Sequence, residues 1–193
     1  SEMCIRDRYW KHDGKVTIFD AFEKLRDNYQ SIMERCRALD ELIYNDAEKA
    51  GGKKYAEICS AAYRQVISAH KLFTDKEGNL MWFSKENNSN GCINTVDLTY
   101  PSAPLFLVYN PDLQKAMMTS IFEYSASGRW DKPFAAHDLG TYPIANGQVY
   151  GGDMPIEESG NMVILTAAIS KIEGNADYAK KYWDILTTWT NYL

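Results

Sequence analysis

Between Thr17 and Lys49 the apolar residues Phe19, Phe22, Leu25, Tyr29, Ile32, Met33, Cys36, Leu39, Leu42 and Ile43 recur at steps of three and four. That spacing places them on one stripe of an α-helix. Gly51-Gly52 ends the pattern, because glycine supplies the backbone freedom that a helix stop uses. A second helical pattern follows at once, from about Lys53 to Phe73, with Tyr55, Ile58, Cys59, Ala62, Val66, Ala69 and Phe73 on its apolar side. Two helices joined by so short a turn fold back on one another as an αα-hairpin. A chain that begins this way is committed to a helix-on-helix architecture.

The remainder continues in that style with one interruption. Thr74-Asp75-Lys76-Glu77-Gly78-Asn79 reads as a turn between two short extended pieces, the second being Leu80-Met81-Trp82-Phe83-Ser84. A polar, asparagine-rich loop then runs from Lys85 to Asn94. Leu105 to Tyr109 and Asp112 to Ser127 are expected to be helical, with Pro111 suited to a helix start and Gly128 to its end. Residues 129–153 hold Pro133, Pro143, Gly140, Gly147, Gly151 and Gly152 and read as a long irregular segment, a kind that is often functional. Two further helices, Pro155 to Ile172 and Ala176 to Leu193, flank Glu173-Gly174-Asn175. The expected class is mainly all-α, helices paired as hairpins, with a short β-hairpin and long loops.

Charge and cysteine content narrow the function. Among 193 residues, Lys and Arg number 21 against 26 Asp and Glu, a net charge of −5. Without a basic stripe, no nucleic-acid partner is expected. Mean hydropathy is −0.43, and no apolar run approaches the roughly 20 residues of a membrane span. The opening octapeptide Ser1-Glu2-Met3-Cys4-Ile5-Arg6-Asp7-Arg8 reads as the translation of a transposon-type sequencing adapter. It is set outside the fold reasoning, so residues 1–8 are expected to be an artefact and 9–193 a fragment of one domain. The remaining Cys36, Cys59 and Cys92 are widely spaced, with no C-x-x-C pair and no histidine cluster. Neither a metal site nor a cofactor is expected from that pattern.

Polar and aromatic residues concentrate in three segments: Trp82 to Gly91, Thr95 to Pro104, and Pro133 to Pro143 running on to Met154 to Asn161. Glu157 and Glu158 are consecutive at a helix start, so they point about 100° apart and cannot both face one pocket. Glu157 shares a face with Asn161, and Glu158 with Met162 and Ile169. Acids in a first turn complement the helix dipole, and one of the two is equally suited to serve as a pocket acid or base. Asp138 either supplies acid–base chemistry or accepts backbone hydrogen bonds within its loop. Its neighbour His137 is a pocket candidate as well. Asp97, between Val96 and Leu98, is a salt-bridge partner for Arg64 or Lys85 or a substrate contact. Trp82 and Tyr142 offer flat rings for a small ligand, or core packing. The candidate catalytic set is Asp138, Glu157 and Glu158; the candidate substrate contacts are His137, Asp97, Tyr142, Asn161, Trp82 and Arg64. No Gly-x-Ser-x-Gly or Ser-x-x-Lys arrangement marks a serine nucleophile.

The segments HDLGTYP (His137 to Pro143) and MPIEESGNM (Met154 to Met162) resemble the glutaminase A family, as do AYRQ, FSKEN, TVDLTYPSAP and the terminal LTTW. The resemblance covers nearly everything from Tyr9 onward. It implies a six-hairpin (α/α) toroid, of which this chain supplies about half the ring, and hydrolysis of the side-chain amide of glutamine. It also implies a small-molecule substrate, missing domains of the same parent chain as partners, and a periplasmic or secreted parent. Toroids of this shape also carry glycoside hydrolases, which use on a sugar substrate a carboxylate pair roughly 5 to 5.5 Å apart when retaining or roughly 6.5 to 9.5 Å apart when inverting. A non-catalytic helical scaffold, with its acids acting only as caps and salt bridges, is the third reading.

Overall fold

A computed structural model describes residues 3–4, 16–86 and 88–193. The chain divides into two compact units, one holding the described residues up to 69 and the other 70–193 with the strand Met3–Cys4. The expected artefact boundary at residue 8 lies outside the described residues.

The first unit is the helical hairpin. Helix α1 spans Ile18–Gly51 and α2 spans Lys53–Ser68. A capping box starts α1: the Thr17 hydroxyl accepts from the Asp20 N–H at 3.3 Å, and the Thr17 N–H donates to the Asp20 carboxylate at 2.7 Å. Gly52, at φ +79°, makes the turn. Ile43, Ala47 and Ala56 are buried at the seam, whereas Phe19, Phe22, Tyr55 and Ile58 of the apolar stripes are exposed. Helix α2 stops at Ser68, five residues short of the expected Phe73, and His70 opens a strand instead. Phe73, placed by its spacing on the helix stripe, is instead a buried residue of that strand.

The second unit begins with β2 (His70–Thr74), paired antiparallel to β3 (Leu80–Ser84) in the register His70 to Ser84 and Thr74 to Leu80. Asp75 closes the hairpin, its carboxylate accepting the Asn79 N–H and side-chain amide, each at 2.7 Å. Helices α3 (Val96–Tyr109), α4 (Pro111–Ala126) and α5 (Pro155–Glu173) carry the core, completed by α6 (Asp177–Lys181) and α7 (Trp183–Tyr192). The short pairs Met3–Cys4 (β1) and Ile144–Ala145 (β4) form a second ladder. Seven helices and one hairpin among the described residues make the fold mainly α.

Two expected boundaries move. Helix α3 begins nine residues before the expected Leu105 and contains Pro101 and Pro104. Each proline frees one carbonyl of the preceding turn, and the Ser102 hydroxyl donates to the carbonyls of Leu98 and Thr99 at 2.8 and 3.1 Å. The last expected helix divides at Tyr182, which leaves helical geometry at φ −118°. Its ring stacks on Phe122 at 4.2 Å, and Trp189 stacks on the same ring at 5.2 Å, so the break admits an aromatic sandwich around α4.

Asn94 ties the loop before α3 to α4. It is fully buried at φ +56°, and its amide donates to the carbonyl of Met117 and, at 2.9 Å, to the Ser120 hydroxyl. Lys115 on α4 reaches Glu173 at the end of α5 at 2.6 Å and Asp112 at 2.7 Å. Burial alone would lower the Lys115 titration, and the bonds from Asp112 and Glu173 outweigh it and raise it.

Asn94→Ala is expected to cost about 2–4 kcal/mol in a denaturant titration, and Asn94→Gly about 1 kcal/mol less, because glycine relieves the left-handed backbone without restoring the bonds. A raised lysine pKa stabilises the fold below the ordinary lysine range and is lost as pH rises through the folded value. The stability gap between the wild type and Glu173→Gln is therefore expected to close in alkaline solution, as pH rises through the folded lysine value.

Candidate active site

The segment 135–140 is buried although it is neither helix nor strand, and its backbone groups are paired across the unit. The Leu139 N–H donates to the Ile93 carbonyl at 3.0 Å, and the Ile93 N–H to the Gly140 carbonyl at 2.7 Å. Gly140, at φ +105°, cannot be replaced, since a Cβ there would lie 2.8 Å from the Gly147 carbonyl oxygen. Two further bonds set the site. The Val96 N–H donates to the His137 carbonyl at 3.0 Å, which fixes the start of α3, and so Asp97, beside His137. The Ala135 N–H donates to the Ser159 hydroxyl at 3.0 Å, which fixes the first turns of α5, and so Glu158. Residues remote in sequence are thereby brought together by the backbone bonds of their neighbours.

The Asp138 carboxylate is completely buried and accepts four bonds. Oδ1 takes the N–H groups of Gly140 (2.7 Å) and Val149 (3.1 Å); Oδ2 takes the N–H of Tyr150 (3.2 Å) and the ring Nδ1 of His137 (2.9 Å). Burial acts to raise its pKa, but the bonds from His137 and the three amides outweigh it and hold Asp138 below the usual carboxylate range. An ionised Asp138 takes a proton-bearing Nδ1 as its partner, which turns Nε2 toward the rest of the cluster. The imidazole, only 4% exposed, is clamped by Tyr150, stacked at 4.1 Å, and its backbone N–H donates to Gln148 at 2.8 Å.

His137 Nε2 faces two carboxyl groups, Asp97 Oδ2 at 3.7 Å and Glu158 Oε1 at 4.0 Å. One ligand-capable atom from each of these three residues lies within 4.8 Å of the other two. Asp97, in the first turn of α3, is about one-third exposed and forms the open side of the cluster. Glu158 is fully buried, and neither of its oxygens meets a donor among the described residues. Burial, then the charge of Asp97 and a hydrogen bond that the protonated carboxyl shares with it, then the charges of Glu157 and Asp138, push Glu158 up to about 10. The cluster therefore carries more negative potential than its surroundings compensate.

The other sequence candidates divide cleanly. Glu157 is exposed beside the buried Glu158, as the 100° rotation between consecutive helical residues requires. Asn161 is half-buried one turn further along α5, and Tyr142 is exposed with the Lys85 ammonium 4.6 Å over its ring. Trp82 is a core residue stacked on His70 at 5.0 Å. Arg64 is exposed on α2, in a groove of the helical hairpin shared with Tyr44 and Tyr63. Within its unit Asp97 faces His137 and Glu158, not the Lys85 partner considered from sequence. Sequence reasoning missed Gln148 as a backbone anchor and Cys92 beneath Asp138. Burial, with Asp138 and Glu86 adding, pushes the Cys92 thiol up to about 12, so it is no thiolate nucleophile near neutrality.

Comparison with known proteins agrees with this helical architecture. Residues 52–193 match the glutaminase A six helical-hairpin domain. The chain is 39% identical over 180 residues to the glutaminase A of Aspergillus oryzae, covering 92% of this chain and 26% of that protein. It is 35% identical over 130 residues to a probable glutaminase of Arthroderma benhamiae, covering 66% of this chain and 15% of that protein. The chain thus spans about a quarter or less of the length of these curated relatives. No solved structure matches it. With the family's domain accounting for most of its length, the chain belongs to the glutaminase A six helical-hairpin family.

Proposed function

We propose that the protein of which this chain forms part hydrolyses the side-chain carboxamide of glutamine, with Asp97, His137 and Glu158 as its reacting groups. The observation that carries this reading is the buried His137, whose Nδ1 is held at 2.9 Å by Asp138 while Nε2 faces two carboxyl groups. The glutaminase names of both fungal relatives favour the carboxamide as substrate.

Amide hydrolysis joins a water oxygen to the carbonyl carbon, breaks the carbon–nitrogen bond and moves a proton from that water to the departing ammonia. His137 Nε2 is the one basic nitrogen of the cluster and takes the water proton, as a histidine aligned by a carboxylate does in acyl-transfer chemistry. Asp97, on the open side, is the first group a substrate meets. Glu158 lies at the closed end, away from bulk water. Asp138 touches no substrate in this scheme: its four bonds use its acceptor positions, and it acts by holding His137. The remaining length of the parent covers the apolar faces that this chain leaves exposed, including Phe19, Phe22 and Ile58.

The complete parent protein, assayed for ammonia release from glutamine beside a panel of glycosides, tests the reading. His137→Gln, Asp97→Asn and Glu158→Gln are each expected to lower kcat/KM for glutamine by about 10²–10⁴-fold with an unchanged circular dichroism spectrum. Glu157→Gln, facing outward, is expected to lower it less than about tenfold. A folded parent that releases sugar and no ammonia overturns the proposal.

A further inference from the structure

We infer that Asp97, His137 and Glu158 form a binding site for one divalent transition-metal cation, with Asp138 holding the histidine in its coordinating tautomer. Three independent features of the cluster point there. The donor atoms converge: Oδ2 of Asp97 and Oε1 of Glu158 lie 3.7 and 4.0 Å from Nε2 of His137, and all three atoms fall within 4.8 Å of one another. Ligands about 2.1 Å from a common ion stand about 3.0–3.4 Å apart, so the two carboxyl oxygens have to approach Nε2 by roughly 0.3–1 Å.

The second feature is the unsatisfied Glu158. A fully buried carboxyl whose two oxygens meet no donor among the described residues is costly unless a positive charge stands in front of it. With both carboxyls ionised and the imidazole neutral the ligand set carries −2, which a divalent ion neutralises as it displaces the proton of Glu158. The third feature is the outer contact. The His137 Nδ1–H donates to the Asp138 carboxylate that three backbone amides also hold, the carboxylate–histidine arrangement that directs the other ring nitrogen at a metal. Three protein ligands with Asp97 on an open side leave coordination positions for water, the pattern of a catalytic and not a structural site. A mixed set of one imidazole and two carboxylates suits zinc or manganese better than calcium, which takes oxygen ligands alone. That the ion binds does not rest on the preceding reading, since a bound ion takes the same Nε2 lone pair that the metal-free scheme gives to the water proton.

The test is calorimetric titration of the chelator-stripped chain with Zn²⁺, and separately with Mn²⁺, alongside thermal melts. One equivalent of at least one of the two ions is expected to bind per chain and raise the melting temperature. Asp97→Asn, His137→Gln and Glu158→Gln are each expected to lose that binding. Asp138→Asn, which leaves all three ligands in place, is expected to weaken it about 10–100-fold. Asp184→Asn, an exposed acid on α7, is expected to bind as the wild type does. Glu158→Gln is the decisive variant, because removing a buried, uncompensated carboxylate leaves the fold intact while abolishing the metal-dependent rise. Absence of stoichiometric binding to a natively folded wild-type chain overturns the inference, as does binding retained in all three ligand variants. A chain that binds the ion while its parent fails to release ammonia leaves the metal site standing and rejects only the proposed substrate.

Discussion

The hydrogen bond from the Val96 N–H to the His137 carbonyl is the contact on which the arrangement of the candidate site depends. A buried stretch of irregular backbone must pair its polar groups somewhere, and residues 135–140 pair theirs with the loop before α3, with Ser159 and with Gln148. The same bonds that satisfy this backbone also place Asp97 and Glu158 around the imidazole. Site geometry is here a by-product of an obligation that any buried loop carries.

Electrostatics then separates four acidic residues that look alike in sequence. Asp138 lies deepest and is ionised, because four donors compensate its burial. Glu158 is equally buried with no such donors, and neighbouring negative charge compounds the cost. Glu157 escapes to solvent by a rotation of one helical residue. Asp97 lies between these extremes, on the accessible side. A cluster built this way demands one positive charge, and a proton or a cation can provide it.

Local pattern reached far into the fold. The stripes of α1 and α2, the Gly52 turn, the Asp75 hairpin and the glycine-rich run before Pro155 were all visible, because each depends on residues within a few positions of one another. The errors fell where distant contacts override local preference. Phe73 continues the helical spacing of Val66 and Ala69, yet it belongs to the strand that opens at His70 and pairs with β3. Tyr182 leaves a helical run to stack on Phe122. The two prolines of α3 disguised a helix that packs against α4 and α5. In the site, the divergence of Glu157 and Glu158 was legible from helical geometry. The partners of Asp97 were not, since Arg64 and Lys85 are matched to it by charge alone, whereas the backbone tie at Val96 selects His137.

The sequence by itself determined the helical class, the membership signalled by HDLGTYP and MPIEESGNM, and the short list of acids from which a centre could be drawn. Periodicity and turn chemistry act over a few residues, so they survive in a string of letters. Only the tertiary structure decided which acids converge and which of them is left uncompensated. Convergence of Asp97, His137 and Glu158 comes from hydrogen bonds across long separations, and compensation depends on the direction in which each buried oxygen points; neither is encoded in any local run of residues.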